Sequence, residues 1–219
     1  MPRLLFEKTG NAIYMSHLDL MRLFQRAFKR AGLNLKHSQG YNPRPLVSIA
    51  LPLSVGVESY CEILDFELEG QQVSCEEMFQ RLQGALVEGV VVRQVYEEGI
   101  KIKNLAFLDC IVTMEYDAGV PADACDQIRS LFARPSVTVE KKSKNGITEQ
   151  DIIPMIRNVI LEQADEHTIL VKARICCQNP TLNPAQISAA VEVYLPEYKA
   201  DFVKCCRKEI YDTEEKVFR

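Results

Sequence analysis

Two apolar periods alternate along the first hundred residues, and their order limits the folds open to this chain. Arg3–Lys8 reads as a strand, and Ser16–Ala31 as a helix ended by Gly32. Pro45–Pro52 (PLVSIALP) and Tyr60–Leu68 (YCEILDFEL) alternate as half-buried strands do. Ser74–Leu86 opens with a capping serine and acids, so it is helical. Gly89–Glu97 is rich in β-branched residues and reads as a strand. The order is β-α-β-β-α-β, the split βαβ arrangement of ferredoxin-like and RNA-recognition folds.

Glu97–Asn104 (EEGIKIKN) acts as a joint, and a similar series follows. Phe107–Tyr116 reads as a strand, Pro121–Phe132 as a helix and Ser136–Lys142 as a strand. Asn158–Gln163 and Thr168–Cys177 flank a turn at Ala164–His167, which predicts a hairpin. Asn183 caps a helix with Pro184 at its first position, and Val203–Tyr211 reads as the closing strand. Asp151–Ile156 is ambiguous, because Pro154 argues against a central strand. The expected architecture is α+β. Two tandem ferredoxin-like, RNA-recognition-like halves with antiparallel sheets are expected over residues 1–100 and 104–219.

Charge divides along the chain. Residues 1–50 hold eight Lys or Arg and two acids, a net of +6, whereas the rest carries a net of −10. This asymmetry predicts one face for a polyanion and a body kept soluble by acid. The positive charge is densest between Ser16 and Pro45. At about 100° per residue, Leu20, Phe24, Ala27, Phe28 and Ala31 share one arc of the helix and pack on the sheet. Arg22, Arg26, Lys29 and Arg30 share another arc, with Asp19 at its edge.

The loop after this helix reads Lys36-His37-Ser38-Gln39-Gly40-Tyr41-Asn42-Pro43-Arg44. Gly40 permits an unusual backbone angle, and Pro43 and Pro45 restrict the chain. Tyr41 can stack on a base, and Gln39 and Asn42 carry amides that hydrogen-bond base edges. Cation, aromatic ring and amide together are the chemistry of single-stranded RNA recognition. A phosphate site needs the cations alone, and a loop anchor needs only the ring. A second basic cluster, Arg134, Lys141, Lys142 and Lys144, surrounds a Lys-Asn-Gly turn signal, either a solvated hairpin tip or a second phosphate contact.

Ser16 and Asp19 have S-x-x-D spacing, a capping-box variant in which Asp19 reaches back to the first backbone N–H. His17, on the sheet side of the first turn, is a structural histidine, a phosphate contact or a general acid/base. His17 and Asp19 are the only catalytic candidates, and they lie on different helix faces with no third metal ligand evident. No metal or cofactor is expected. The eight cysteines form no CxxC and no CxxxCxxC. The vicinal pairs Cys176–Cys177 and Cys205–Cys206 lie in strands, where neighbours point to opposite faces, so reduced thiols are expected. No apolar run reaches the length of a membrane span and no secretory signal is visible, so a cytoplasmic protein is expected.

SHLDLMR (Ser16–Arg22), HSQGYNPRP (His37–Pro45) and LPLSVGVES (Leu51–Ser59) resemble the radical SAM-linked protein family, a domain of unknown function. The resemblance extends over essentially the full chain and is strongest in the first 60 residues. In that family the domain is often attached after a B12-binding radical SAM protein or encoded beside one. Members also occur near genes for ribonuclease G and ribosomal proteins. The resemblance therefore implies a setting in translation or RNA processing and a radical SAM protein as partner. Lacking a cluster motif and beginning at Met1, this chain is expected to be the detached form. Tyr41 stands where phenylalanine is common, which preserves a ring. At fold level, two such halves are also similar to CRISPR RNA-processing endonucleases of the Cas6 type.

The expected function is a non-catalytic RNA-binding accessory protein. Arg22, Arg26, Lys29, Lys36, His37 and Arg44 would face phosphates, while Gln39, Tyr41 and Asn42 would face bases. One alternative is an RNA-acting enzyme, for cleavage or base modification, using His17 with Lys36 or Arg44. Another is an interaction module that docks the radical SAM partner.

Overall fold

The computed structural model describes residues 2–70, 72–143 and 146–219. The chain divides into two compact units, residues 1–102 with 218–219 and residues 103–217. In the first unit the elements are β1 (Arg3–Lys8), α1 (His17–Arg30), β2 (Val47–Ile49), β3 (Val57–Phe66), α2 (Cys75–Gln83) and β4 (Val90–Tyr96). The strands pair antiparallel in the order β4-β1-β3-β2. The sheet strand within Pro45–Pro52 is only three residues long, because Pro45 and Pro52 bound it.

Both helices cover one face of this sheet. Leu4 and Phe6 of β1 and Leu64 and Phe66 of β3 meet Leu20, Phe24 and Phe28 of α1 and Met78 and Leu82 of α2. Phe6 meets Phe24 edge-on and Phe28 meets Phe66 at a tilt, both with centroids 4.7 Å apart. Each such side chain contributes about 1.5–3 kcal/mol by leaving water. Four of the five residues read onto the apolar arc of α1 are buried, and Ala31, which caps the helix, is half-buried.

The second unit contains β5 (Leu105–Glu115), α3 (Ala124–Phe132), β6 (Thr138–Ser143), β7 (Gly146–Asp151), β8 (Ile156–Gln163), β9 (Thr168–Cys176), α4 (Ala185–Tyr194) and β10 (Phe202–Asp212). Its sheet runs β10-β5-β9-β8, again antiparallel. The strand read at Ser136–Lys142 does not join it. Instead β6 pairs with β7 as a separate hairpin. The Tyr194 hydroxyl, which donates to Thr138 O and accepts from Thr138 N, ties that hairpin to α4. Pro154 sits in a short 3-10 turn after β7 rather than in a strand. The Asp151 carboxylate accepts from Val137 N and Ile153 N, which pins both ends of the hairpin. Of the second basic cluster, Lys144 and the side chain of Lys142 lie outside the described residues. α4 starts one residue later than the capping pattern predicts, with Asn183 Oδ1 accepting from Ala185 N.

Candidate nucleic-acid interface

The start of α1 is set from beneath. Lys8, the last residue of β1, is fully buried, and its ammonium donates to Ile13 O at 3.0 Å and Met15 O at 2.8 Å. Those carbonyls belong to the short 3-10 turn and the link leading into the helix. A buried ammonium needs such acceptors, so it fixes where the helix begins. Ser16 Oγ accepts from Asp19 N, as capping requires. The reciprocal half differs from the capping-box reading. The Asp19 carboxylate accepts from the Ser16 hydroxyl at 2.7 Å and pairs with Arg22 at 3.2 Å, rather than reaching the serine backbone. The serine hydroxyl first, and Arg22 after it, hold the Asp19 carboxyl below its ordinary range. His17 is half-buried, and its Nδ1 is buried with no hydrogen-bond partner among the described residues.

The cations of α1 and the loop, equivalent in the sequence, are not equivalent in space. Arg22 is engaged with Asp19, and Arg30 donates to Ala85 O at 2.5 Å, close to the end of α2. Lys36 pairs with Glu67 at 2.9 Å, and that carboxylate raises the lysine pKa. Among the described residues nothing pairs with the side chains of Arg26, Lys29 or Arg44, all exposed. Arg22, Arg26 and Lys29 follow at i, i+4 and i+7, so they line one stripe.

The loop is short-circuited at its base. Ser38 N donates to Arg44 O at 2.8 Å, and Arg44 N donates to Ser38 Oγ at 3.0 Å. His37 bridges Pro45, and Leu46 N donates to Lys36 O at 2.7 Å. Five residues, Gln39–Pro43, are thereby closed into a projecting tip that turns at Gly40, whose φ is +129°. At this tip Tyr41 is 107% exposed, with Gln39 and Asn42 exposed beside it. A ring held out in this way buries nothing within its own unit.

A groove of about 430 Å³ joins the helix to the loop. Its lining includes Gln25 and Lys29 of α1, His37 and Pro45 of the loop, and Asn34 and Glu69. The structure therefore brings Lys29 and His37 together. Arg22 and Arg26 lie outside the groove, and Lys36 is turned to Glu67. Gln25 and Asn34 are groove residues that sequence reasoning missed. Gln25 stands one turn before Lys29, and that i, i+4 spacing was the available signal. Asn34 depends on the close approach of Glu69, whose N–H donates to its carbonyl at 2.9 Å. Among the described residues no group of His, Cys, Asp or Glu is arranged to hold a metal ion, and no helix is long and apolar enough to cross a membrane.

An α+β unit with both helices on one side of an antiparallel sheet, and a basic helix leading into an exposed aromatic loop, defines the class of protein. The chain matches the family of uncharacterized proteins conserved in bacteria, DUF2344, over residues 2–184, and it belongs to that family. No curated protein matches it. Among solved structures it is similar to a chain in the crystal structure of a Cbf5–Nop10–Gar1 complex, at 9% identity and a TM-score of 0.51. That likeness takes in 95% of this chain and 48% of the other, so this chain spans about half its relative's length. It is a likeness of fold. An unknown protein from Galdieria sulphuraria aligns over 94% of this chain and 96% of its own at 9% identity, with a TM-score of 0.26.

Proposed function

We propose that the first unit binds single-stranded RNA along the α1 stripe and the Lys36–Arg44 loop. The observation that carries this reading is Tyr41, fully exposed on a loop pinched at its base, beside a groove holding Lys29 and His37. An exposed ring held by a closed loop costs little to order on binding, and every base has a face to stack on it. Arg26, Lys29 and Arg44 would meet phosphates, with Arg22, Lys36 and His37 as weaker contacts. Gln39 and Asn42 would meet base edges. In this reading both units are ferredoxin-like, the second carrying the β6–β7 hairpin as an insertion. The strand orders β4-β1-β3-β2 and β10-β5-β9-β8 support it.

The protein would present RNA rather than transform it, and a radical SAM protein would supply the chemistry, as the resemblance of Ser16–Arg22 and His37–Pro45 to that linked family implies. The engaged Asp19 and the half-buried His17 favour a structural role for both over catalysis. Fluorescence anisotropy with single-stranded and duplex RNA tests the reading. Tyr41→Ala should weaken single-strand binding about tenfold or more, while Tyr41→Phe retains it. Equal affinity of Tyr41→Ala and wild type, or a preference for duplex, would refute it.

A further inference from the structure

The helix-free face of the second unit carries two arginines, each lying on an aromatic ring. Arg174 of β9 sits over Tyr211 of β10, its central carbon 3.9 Å from the ring centroid. Arg157 of β8 sits over Phe107 of β5 at 4.9 Å. Strand register explains the grouping. Tyr211 is the cross-strand partner of Phe107, and Asn158, beside Arg157, is the partner of Arg174. Both arginines line a recess of about 520 Å³ with Asn158 and Ile160. Its other charged groups are Lys172, paired with Glu162, and Lys208, with Asp109 and Glu215 as its acids.

The two arginines differ in ion pairing and freedom. Arg174 is immobilised on three sides. Its Nε and Nη2 donate to Asp109 at 2.7 and 3.0 Å, and its Nη1 donates to Glu215 at 2.9 Å. Tyr211 also donates to Asp109, at 2.8 Å, which fixes the ring beneath the guanidinium. Glu215 reaches Arg174 from a left-handed backbone position, φ +59°, that a glutamate adopts at a cost of about 1 kcal/mol or more. Two carboxylates more than offset the charge of Arg174, so what it offers is a rigid plane backed by a ring. Arg157 is exposed, and among the described residues no acid pairs with it.

We propose that this recess is a second RNA site, taking one nucleotide of a single strand with its base stacked on the Arg174 plane and its phosphate on Arg157. Guanidinium planes serve as stacking surfaces for unpaired bases, and an unpaired arginine is a natural phosphate ligand. The recess is of nucleotide size. Asn158 stands at its edge with an amide for the base rim, and β8 is the edge strand of this unit's sheet, so a polymer can run past. The site extends the RNA reading to the second unit and rests on different residues.

The test is photo-cross-linking of the full chain to a short single-stranded RNA containing 4-thiouridine, with the joined peptides identified by mass spectrometry. Cross-links on β5, β8, β9 or β10 peptides are expected. Arg157→Glu should reduce them and weaken RNA affinity about tenfold, with an unchanged melting temperature, because Arg157 is exposed. Arg174→Lys, which keeps charge and loses the plane, should cut affinity similarly. If it melts early, Arg157→Glu decides. Cross-links confined to residues 36–45 would overturn this site and leave the first-unit reading intact. Cross-links confined to the second unit would do the reverse. No cross-link in either, or full affinity in Arg157→Glu, overturns the second site.

Discussion

Among the described residues Arg26, Lys29 and Arg44 are unpaired, whereas Lys36 is held by Glu67. If RNA follows this surface, only the unpaired cations release counterions in full. Each phosphate contact on a single strand contributes about 0.7 to the slope of log affinity against log salt. Three such contacts contribute about 2, or about a 20-fold loss of affinity between about 50 and 200 mM salt. The triple variant Arg26→Ala/Lys29→Ala/Arg44→Ala should therefore flatten the slope by about 2. The paired deletion Lys36→Ala/Glu67→Ala leaves the net charge of the surface unchanged, so its slope should match wild type. Filter binding of a short single-stranded RNA across a salt series reads both. A paired deletion that flattens the slope as far as one of the three single substitutions would refute the division into free and neutralised cations. A triple variant with wild-type slope would refute the surface altogether.

Three further predictions concern stability. Arg3 is 4% exposed and bonds Asp65 through two nitrogens, at 2.5 and 3.0 Å, so Asp65→Ala strands a buried charge. A loss of about 3–5 kcal/mol in urea unfolding is expected, and a loss below about 1 would refute the pairing. Gly89 has a φ of +83°, and a Cβ there would sit 2.9 Å from Ala12 Cβ and against Thr9 O. Gly89→Ala should cost about 2 kcal/mol or more in the same assay, and an unchanged midpoint would count against the turn that leads into β4. Burial pushes the Cys110 thiol up to about 12 and the Cys205 thiol up to about 11. A raised thiol pKa holds its proton in the folded state, so its contribution is complete below about pH 8.5, where the unfolded thiol titrates, and is lost as pH rises toward the folded value. Stability should fall between about pH 9 and 11, less so in Cys110→Ala, and native Cys110 should resist alkylation near neutral pH.

Much of the first unit was legible in its residues. The spacing of Leu20, Phe24, Ala27 and Phe28 identifies the buried stripe of α1, because helical period is a property of neighbours three and four apart. Ser16 as a cap was legible for the same reason, although the Asp19 carboxylate turned to the serine hydroxyl and Arg22 instead of the serine backbone. The exposed tip at Tyr41 follows from glycine and proline in a short polar stretch. The Lys-Asn-Gly signal pointed to a hairpin after Ser136–Lys142, but the separation of β6–β7 from the main sheet was not legible. Thr138–Lys142 looks like any amphipathic strand, and its separation from the sheet depends on Tyr194, more than 50 residues later. The Arg174 assembly was equally hidden, since it gathers Asp109, Tyr211 and Glu215 from separate strands and a turn.

What the residues settled alone is local: which stretches form helices and strands, which helix face is apolar, and where positive charge collects. Tertiary structure decided which charges remain available. Lys36 meets Glu67, Arg30 meets Ala85 and Arg174 meets Asp109 only because strand register and helix docking bring distant residues within a few ångströms. Coulomb energy falls with distance through a screening solvent, so a cation's partner is fixed by the fold and not by its neighbours in the chain.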